Sequence, residues 1–155
     1  MAEFSATVLD CEETVYKERS LYAIVLDLTG FFPEGGGQES DTGSIDDVRV
    51  VDVQSENGRI IHYVEEPIDI GKKVVCSVDF EKRFVRMQNH SAEHLLCGLI
   101  HNAYGYENVG FHLNDECVTF DVDGSLSLEQ IAEIEMKANE IIYEDVPIIV
   151  SFPSG

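Results

Sequence analysis

Two histidines four residues apart are the first candidates for chemistry in the sequence. His90 and His94 lie in the segment Asn-His-Ser-Ala-Glu-His, and on a helix this spacing puts both imidazoles on one face, where they can bind one metal ion. A zinc site needs further ligands. His101 shares the face but lies about 10 Å along the axis from His94, whereas Cys97 could pair with His94. Glu93 is one position too late for the metalloprotease HExxH pattern, and we expect it on a different face. The alternative is that both histidines pack or meet solvent.

A second candidate is the glycine-rich segment 31–43, which reads FFPEGGGQESDTG. The consecutive Gly35, Gly36 and Gly37 cost backbone entropy, so a folded chain that keeps them needs unusual φ angles or the close approach of a ligand. The segment is not a phosphate-binding P-loop, because the Lys-Ser/Thr that would follow the last glycine is absent and no helix begins there. The alternative is a flexible hairpin tip.

Charge limits the partners of the chain. Among 155 residues, 30 acidic side chains face 10 basic ones, and the formal net charge of -20 excludes a basic nucleic-acid-binding module. Five of the ten basic residues nevertheless lie in the fifteen positions leading into the His90 helix: Lys72, Lys73, Lys82, Arg83 and Arg86. They are the plausible contact with a polyanion, and their local pairing with Asp79 and Glu81 is the alternative.

The cysteines and the N-terminus predict a cytoplasmic protein with reduced thiols. The four cysteines form no Cys-x-x-Cys pair, and the first ten residues have neither a basic nor an apolar signal region. No apolar run approaches the roughly 18 residues needed to span a bilayer. A hydrophobic content of 44% is enough for a buried core.

The first half of the chain predicts a small β-barrel. Runs rich in Val, Ile and Tyr predict strands at residues 6–10, 21–27, 48–54, 59–64 and 73–79. Asn57 and Gly58 lie between two of them, and this pair is typical of a tight hairpin because both residues tolerate positive φ. Five or six short strands favour a closed sheet, since open edges invite aggregation.

The hydrophobic period changes near residue 80. Asp79 can cap a helix that runs to about Tyr104, with an apolar stripe of Phe80, Phe84, Met87, Leu95 and Leu99. A strand at 117–122 follows, then a helix opened by Ser127 and Gln130 at capping-box spacing, and a last strand at 147–152. We therefore predict a glycine-rich barrel domain at residues 1–80 and an α+β domain at 81–155.

Together, FFPEGGGQESDTG, the later NHSAEHLL and the stretch 110–121 resemble the editing region of alanyl-tRNA synthetase and its freestanding relatives, the AlaX-type alanyl-tRNA editing proteins. The resemblance implies a β-barrel similar to those of translation factors, followed by the α+β editing fold shared with threonyl-tRNA synthetase. It implies a zinc-dependent hydrolase that cleaves serine or glycine from mischarged tRNA(Ala), with that tRNA as partner. Separately, the edges of the barrel leave a homodimer as a possibility.

The resemblance also implies roles for individual residues. His90 and His94 match the first two zinc ligands of the family, Gly36, Gly37 and Gln38 match its glycine-rich motif near the tRNA end, and His112 corresponds to a residue near the editing pocket.

One part of the family pattern is missing. In the family, the Cys-x-x-x-His that supplies the other two zinc ligands follows the strand corresponding to 147–152, and no such motif follows it in this sequence. We therefore expect an N-terminal fragment of a longer protein, with an editing domain incomplete at its C-terminus, at most half a zinc site and little activity of its own. The catalytic residue is unknown. The alternatives are a non-catalytic nucleic-acid-binding or interaction module, or part of an alanyl-tRNA synthetase.

Overall fold

A computed structural model describes residues 2–113 and 117–152. Its strands are β1 (Glu3–Tyr16), β2 (Arg19–Leu26), β3 (Gly43–Ile45), β4 (Val48–Glu56), β5 (Arg59–Val64), β6 (Lys73–Val78), β7 (Asn108–Leu113) and β8 (Val118–Val122). Its helices are α1 (Phe80–Tyr104) and α2 (Leu128–Tyr143). The chain divides into two compact units, Met1–His90 with His112–Thr119, and Ser91–Phe111 with Phe120–Gly155.

The first unit contains a closed barrel in the strand order β1-β2-β5-β4-β3-β6, with every neighbouring pair antiparallel. Closure pairs β1 with β6, so the backbone groups of the first and last strands bond to each other. The predicted hairpin joins β4 to β5, with positive φ at Asn57 (50°) and Gly58 (77°). The predicted barrel is thereby confirmed.

Alternating apolar residues of the strands fill the barrel. Seven core side chains are completely buried: Val8, Ile24, Ile45, Val50, Val53, Val64 and Cys76. Burial raises the pKa of the Cys76 thiol to about 11, with the charges of Asp46 and Asp27 adding to the effect. Cys76 therefore packs as a small apolar residue rather than a reactive thiolate.

β3 and β7 were not predicted. β3 has three residues and begins at the last residue of the glycine-rich segment, where sequence patterns indicate loop. Its formation depends on β4 and β6, which flank it on both sides. Such a short strand is set by its neighbours rather than by its own propensity.

The second unit contains the C-terminal part of α1, α2, and residues 108–111 of β7 and 120–122 of β8, two strands that pair with each other. The predicted capping box is confirmed: the Ser127 hydroxyl accepts from the Gln130 N–H, and the Gln130 side chain accepts from the Ser127 N–H. Ile134 and Ala138 are the buried residues of α2.

The predicted last strand at 147–152 is wrong. Those residues form no regular structure, and Ile148, Ile149, Val150 and Phe152 are at least 78% exposed. β propensity describes how well a side chain fits a pleated surface, so it produces a strand only where a neighbour supplies backbone partners. In the described part of the chain, β7 and β8 pair only with each other in their sheet.

The boundary predicted at residue 80 and the assignment of 81–155 to an incomplete editing domain stay predictions. Across residues 2–113 and 117–152, no helix is long and apolar enough to cross a membrane.

Candidate functional site

Helix α1 begins where predicted, and its cap ties it to the glycine-rich segment. The Asp79 carboxylate accepts from the Lys82 N–H at 3.2 Å, and its carbonyl accepts from the Arg83 N–H at 3.0 Å. The Asp79 N–H in turn donates to the Thr42 carbonyl at 2.9 Å. This cap sets the starting phase of the helix and thereby places Arg83 and Arg86 on one face.

The buried stripe of α1 differs from the predicted one. Phe80, Phe84 and Met87 are 42%, 48% and 50% exposed, whereas the buried residues are Arg86, Glu93 and Ile100. Their seven-residue spacing is itself helical, so the period was right but the buried face carries two charged side chains. Buried charges require partners, and those partners form the candidate site.

The glycine-rich segment forms a tight turn. Gly35 and Gln38 exchange backbone hydrogen bonds of 3.1 Å in both directions, and φ is 60° at Gly36 and 77° at Gly37. The predicted need for unusual φ is confirmed. The alternative of a flexible tip fails just beyond the turn, because Gln38, Ser40 and Asp41 are only 5%, 7% and 2% exposed.

Two arginines of α1 hold this segment. The Arg83 guanidinium donates to both carboxylate oxygens of Asp41, with Nε at 3.1 and 3.0 Å, and to the Gly30 carbonyl. Arg86 donates to the Glu39 carboxylate and the Ser40 carbonyl. Charge-assisted, bidentate contacts of this kind set geometry as well as energy.

These ion pairs correct our picture of the basic cluster. The side chains of Arg83 and Arg86 are 13% and 4% exposed, and they pair with the glycine-rich segment rather than with Asp79 or Glu81. Lys72 pairs with Asp46 at 2.9 Å, and Lys82 is partly buried. The cluster is therefore not a set of free surface cations, and a role of Lys82, Arg83 and Arg86 in tRNA binding stays a prediction.

A barrel carboxylate holds the same segment from its other side. Asp52 accepts from the Ser40 hydroxyl at 2.7 Å, from Lys17 Nζ at 2.7 Å and from the Tyr16 hydroxyl at 2.8 Å. Burial raises the pKa of Asp52, but the hydrogen bonds from Lys17, Ser40 and Tyr16 outweigh it, so the net pKa is lowered. Asp52 is thus a charged anchor for Ser40.

The start of the segment is anchored by a buried histidine. His62 Nδ1 lies 3.1 Å from the Ile24 carbonyl, which can only accept, so Nδ1 carries the proton and Nε2 accepts from the Thr29 hydroxyl at 2.8 Å. Thr29 in turn accepts from the Phe31 N–H at 3.0 Å. Burial lowers the pKa of His62 to about 4, so the ring is neutral at pH 7.

The two motifs that the sequence separates by 52 positions meet in the first unit. The Gln38 side-chain oxygen lies 2.9 Å from His90 Nδ1, and a Cβ on Gly36 would lie 4.0 Å from the same imidazole. Leu113 donates its N–H to the Gly37 carbonyl at 3.0 Å, which brings the adjacent, exposed His112 to the turn. The structure therefore brings Gly36, Gln38 and His90 together.

A cavity of about 460 Å³ opens beside this contact. Its lining is mixed, with aromatic and apolar side chains next to polar ones: Thr29, Gly30, Phe31, Phe32, Pro33, Gln38, Arg83, Met87 and His90. Small-molecule sites are usually apolar clefts of this size with a few fixed polar groups.

One helical turn further along α1, His94 has a carboxylate neighbour. Its Nδ1 lies 3.3 Å from Oε2 of Glu93, a residue that is 3% exposed. The other carboxylate oxygen accepts from Cys97 Sγ at 3.0 Å and from Asn108 Nδ2. Burial, together with this hydrogen bond and the Glu93 charge, raises the pKa of the Cys97 thiol to about 12. Cys97 is thus a thiol that donates to Glu93, and its pairing with His94 at a metal stays a prediction.

Ligand atoms of His90, Glu93 and His94 all lie within 4.8 Å of one another along this helix. Glu93 is buried whereas His94 is exposed, as expected for different faces of the helix, yet the long Glu93 side chain still brings its carboxylate close to the histidines. His101 lies outside the group, as its axial distance predicted, with its Nδ1 3.2 Å from Glu107. The two imidazoles are donors that zinc accepts, and the Glu93 carboxylate lies beside them.

Asn108 was missed by sequence reasoning. It lies 15 positions after Glu93, at the first residue of β7, and no motif marks it. Asp41 and Glu39 were likewise missed, because their arginine partners lie 42 and 47 positions away.

Comparison with known proteins agrees with these motifs. The family described as tRNA synthetases class II (A) matches residues 3–82, just over half of the chain. The alanyl-tRNA editing protein Aarsd1 of Bos taurus is 34% identical over 96% of the chain and 36% of its own length. The alanyl-tRNA editing protein AlaX-L of Pyrococcus horikoshii is 32% identical over 97% of the chain and 38% of its own length.

An alanine–tRNA ligase of Natronomonas pharaonis is 34% identical over 97% of the chain and 17% of its own length. The chain thus spans well under half the length of these curated relatives. It belongs to the class II (A) tRNA synthetase family, within which its relatives over most of the chain are alanyl-tRNA editing proteins of the AlaX and Aarsd1 type.

Proposed function

We propose that the chain carries part of the editing site of an aminoacyl-tRNA deacylase, which hydrolyses the ester that joins serine or glycine to tRNA(Ala). The observation that carries the proposal is the contact between Gln38 and His90, which joins the two motifs shared with the editing proteins beside a cavity of about 460 Å³. Such an enzyme is needed because one hydroxyl or methyl group changes amino-acid binding at the aminoacylation site of a synthetase only modestly, so that wrong amino acids are sometimes attached to tRNA.

Zinc is the metal for which the residues fit. His90 and His94 would hold it, and the remaining Cys-x-x-x-His ligands would come from a segment beyond residue 155 in a longer protein, in agreement with the length of the relatives. When bound there, zinc supplies a Lewis acid that can polarise a carbonyl group or lower the pKa of a water.

The residues of the chain position the aminoacyl group. Because the Gln38 side-chain oxygen accepts from His90, its amino group supplies the N–H donors for an oxygen of the bound aminoacyl ester. Gln38 is 5% exposed, so its amide is held in one orientation with little water competing for it. Phe32 and Met87 provide apolar walls for the same cavity.

The charge pattern bears on tRNA binding. A net charge of -20 opposes a polyanion, and Arg83 and Arg86 already pair inside the chain. We therefore propose that the 155-residue chain has little activity and little affinity for tRNA alone, and that the main tRNA contacts lie in the longer protein. A cytoplasmic location and a homodimer belong to the same proposal.

The test is deacylation of Ser-tRNA(Ala) and Gly-tRNA(Ala) by the longer protein, with the 155-residue chain assayed in parallel. We expect turnover by the longer protein and its loss in the double variant His90→Ala, His94→Ala. Unimpaired hydrolysis by that variant would refute the proposal. An interaction module without catalysis would show no turnover above the uncatalysed rate in any form.

A further inference from the structure

Glu93 is an unusual residue for so acidic a chain to bury. Its side chain is 2% exposed, and moving a carboxylate out of water costs several kcal/mol unless donors replace the water. Three groups surround it: Nδ1 of His94, Sγ of Cys97 and Nδ2 of Asn108. A buried carboxylate with three polar neighbours of this kind is held in one orientation, so each of its oxygen atoms faces a fixed partner.

Two of the three donors fix the carboxylate. Both Cys97 and Asn108 bond to Oε1. Asn108 is itself oriented, because its Oδ1 accepts from the Gly110 N–H at 3.0 Å and so directs Nδ2 toward Glu93. Oε1 is therefore held by groups from α1 and from β7, and the other oxygen, Oε2, faces His94.

This oxygen is one of the groups that can orient the His94 ring. Its side chain is 74% exposed, so packing alone does little to fix the ring. In a neutral imidazole only one nitrogen carries the proton, and the nitrogen that donates to an oxygen acceptor is the protonated one. A carboxylate beside Nδ1 thus places the proton on Nδ1 and the lone pair on Nε2.

The other histidine of the pair shows the same arrangement. His90 Nδ1 lies 2.9 Å from the Gln38 side-chain oxygen, and His94 Nδ1 lies 3.3 Å from Oε2 of Glu93. Each ring therefore has an oxygen near Nδ1, at hydrogen-bond geometry for His90 and at ion-pair distance for His94, and this arrangement favours the same tautomer in both. Acceptors of this kind orient metal-binding histidines and raise their basicity.

We propose that Glu93 is a positioning residue of the metal site: its carboxylate holds the Nδ1–H of His94, so that Nε2 of His94 presents its lone pair on the same helix as His90. The inference rests on the metal site of the proposed function. It assigns Glu93 a role through His94 and not as a direct ligand.

The first test needs neither metal nor tRNA. Long-range ¹H–¹⁵N correlation spectra of the metal-free 155-residue chain at about pH 8, where histidines are neutral, report which ring nitrogen carries the proton. We expect the Nδ1–H tautomer for His94 and a shift toward Nε2–H in Glu93→Ala. An Nε2–H tautomer in the unmodified chain, or no change in the variant, would overturn the proposal.

The second test is zinc affinity of the same chain by competition with a chromophoric chelator. Loss of a carboxylate that orients a ligand weakens binding about 10- to 100-fold, so we expect that loss in Glu93→Ala and a smaller one in Glu93→Gln, which keeps an acceptor oxygen. Glu81→Ala, an exposed change on the same helix, is the matched control and should leave affinity unchanged.

Each outcome of the zinc titration either supports or contradicts the positioning role of Glu93. If Glu93→Ala binds zinc as tightly as the control, Glu93 has no role in the site. If it loses as much affinity as His94→Ala, Glu93 is a ligand and the positioning role is wrong. The far-UV circular dichroism signal of the helices shows whether Glu93→Ala is folded. Glu93→Gln, which keeps the shape of the side chain, repeats the comparison if Glu93→Ala unfolds. If the longer protein does not deacylate but the tautomer and zinc results hold, the proposed function fails and this inference stands.

Discussion

The ion pair between Arg83 and Asp41 leads to the sharpest stability prediction. The Asp41 side chain is 1% exposed and that of Arg83 is 13%, so solvent screens the pair very little. Asp41→Asn keeps the shape of the side chain and an acceptor for the Phe32 N–H, but it removes the charge that faces the guanidinium. The variant thereby leaves an arginine buried without its counter-ion.

The expected loss in the free energy of unfolding is about 3 kcal/mol, the lower end of the range of about 3–5 kcal/mol for breaking a buried pair, because Asn still accepts hydrogen bonds. At a urea slope of about 1–3 kcal/mol/M the unfolding midpoint falls by about 1 M or more. Urea titration followed by circular dichroism measures both the slope and the midpoint.

The exposed pair of Arg19 and Glu65 provides the control. Its side chains are 56% and 38% exposed with a separation of 3.0 Å, so Glu65→Gln should cost no more than about 1 kcal/mol. In a double variant, Asp41→Leu with Arg83→Met, most of the loss should be recovered, since apolar replacements of a buried pair are often neutral. If Asp41→Asn lowers the free energy of unfolding no more than Glu65→Gln does, the Arg83 guanidinium does not need this carboxylate. The conclusion that the ion pair holds the glycine-rich segment in place would then be refuted.

Three other predictions follow from single residues. Burial lowers the pKa of His62 to about 4 from 6.5. As pH falls, the histidine is therefore protonated in the unfolded chain before it is protonated in the folded chain. About 3 kcal/mol of the folding stability present above pH 6.5 should consequently be lost by pH 4. Urea midpoints from pH 7 to 4 measure this loss, and His62→Gln should flatten the curve; an equal slope in the variant would contradict the assignment. Gly43→Ala should cost at least about 2 kcal/mol, because its Cβ would lie 2.1 Å from a backbone carbonyl oxygen, whereas Gly98→Ala, on the open face of α1, should stabilise by about 0.5–1 kcal/mol. Similar thermal midpoints for the two variants would show that the backbone gives way at Gly43. Gln38→Ala should reduce deacylation by the longer protein about 100-fold or more. It should also shift His90 away from the Nδ1–H tautomer. If both the activity and the tautomer are retained in the variant, Gln38 has no role in the site.

Much of the secondary structure could be predicted because its signals are local. The Asn57-Gly58 turn, the Asp79 cap and the Ser127 capping box each depend on residues within three or four positions, and all three are present. β5 and α1 match the predicted ranges because alternation and helical period also act over one or two turns. The strand at 147–152 failed for the opposite reason, since a strand needs a partner that local sequence does not supply.

The candidate site could be predicted only in part. The types and spacing of His90 and His94 indicate metal chemistry, and the glycine-rich turn indicates strained backbone, but neither pattern says that Gln38 bonds to His90 across 52 positions. The basic residues before α1 suggested a polyanion surface, and the structure shows Arg83 and Arg86 in internal ion pairs. The sequence gives the number and positions of charged residues, but it does not show which of them form ion pairs.

The sequence by itself determined the two motifs, their helix and turn, the strand-rich first half and the acidity of the chain, because these depend on residue types and short-range periods. The tertiary structure alone decided which side chains partner each other. The fold brings Arg83, Arg86 and Asp52 to the glycine-rich segment. The phase of α1 buries Arg86 and Glu93 rather than its phenylalanines. The physical reason is that a buried charge is tolerated only where the whole fold supplies its partners, and those partners come from distant parts of the chain.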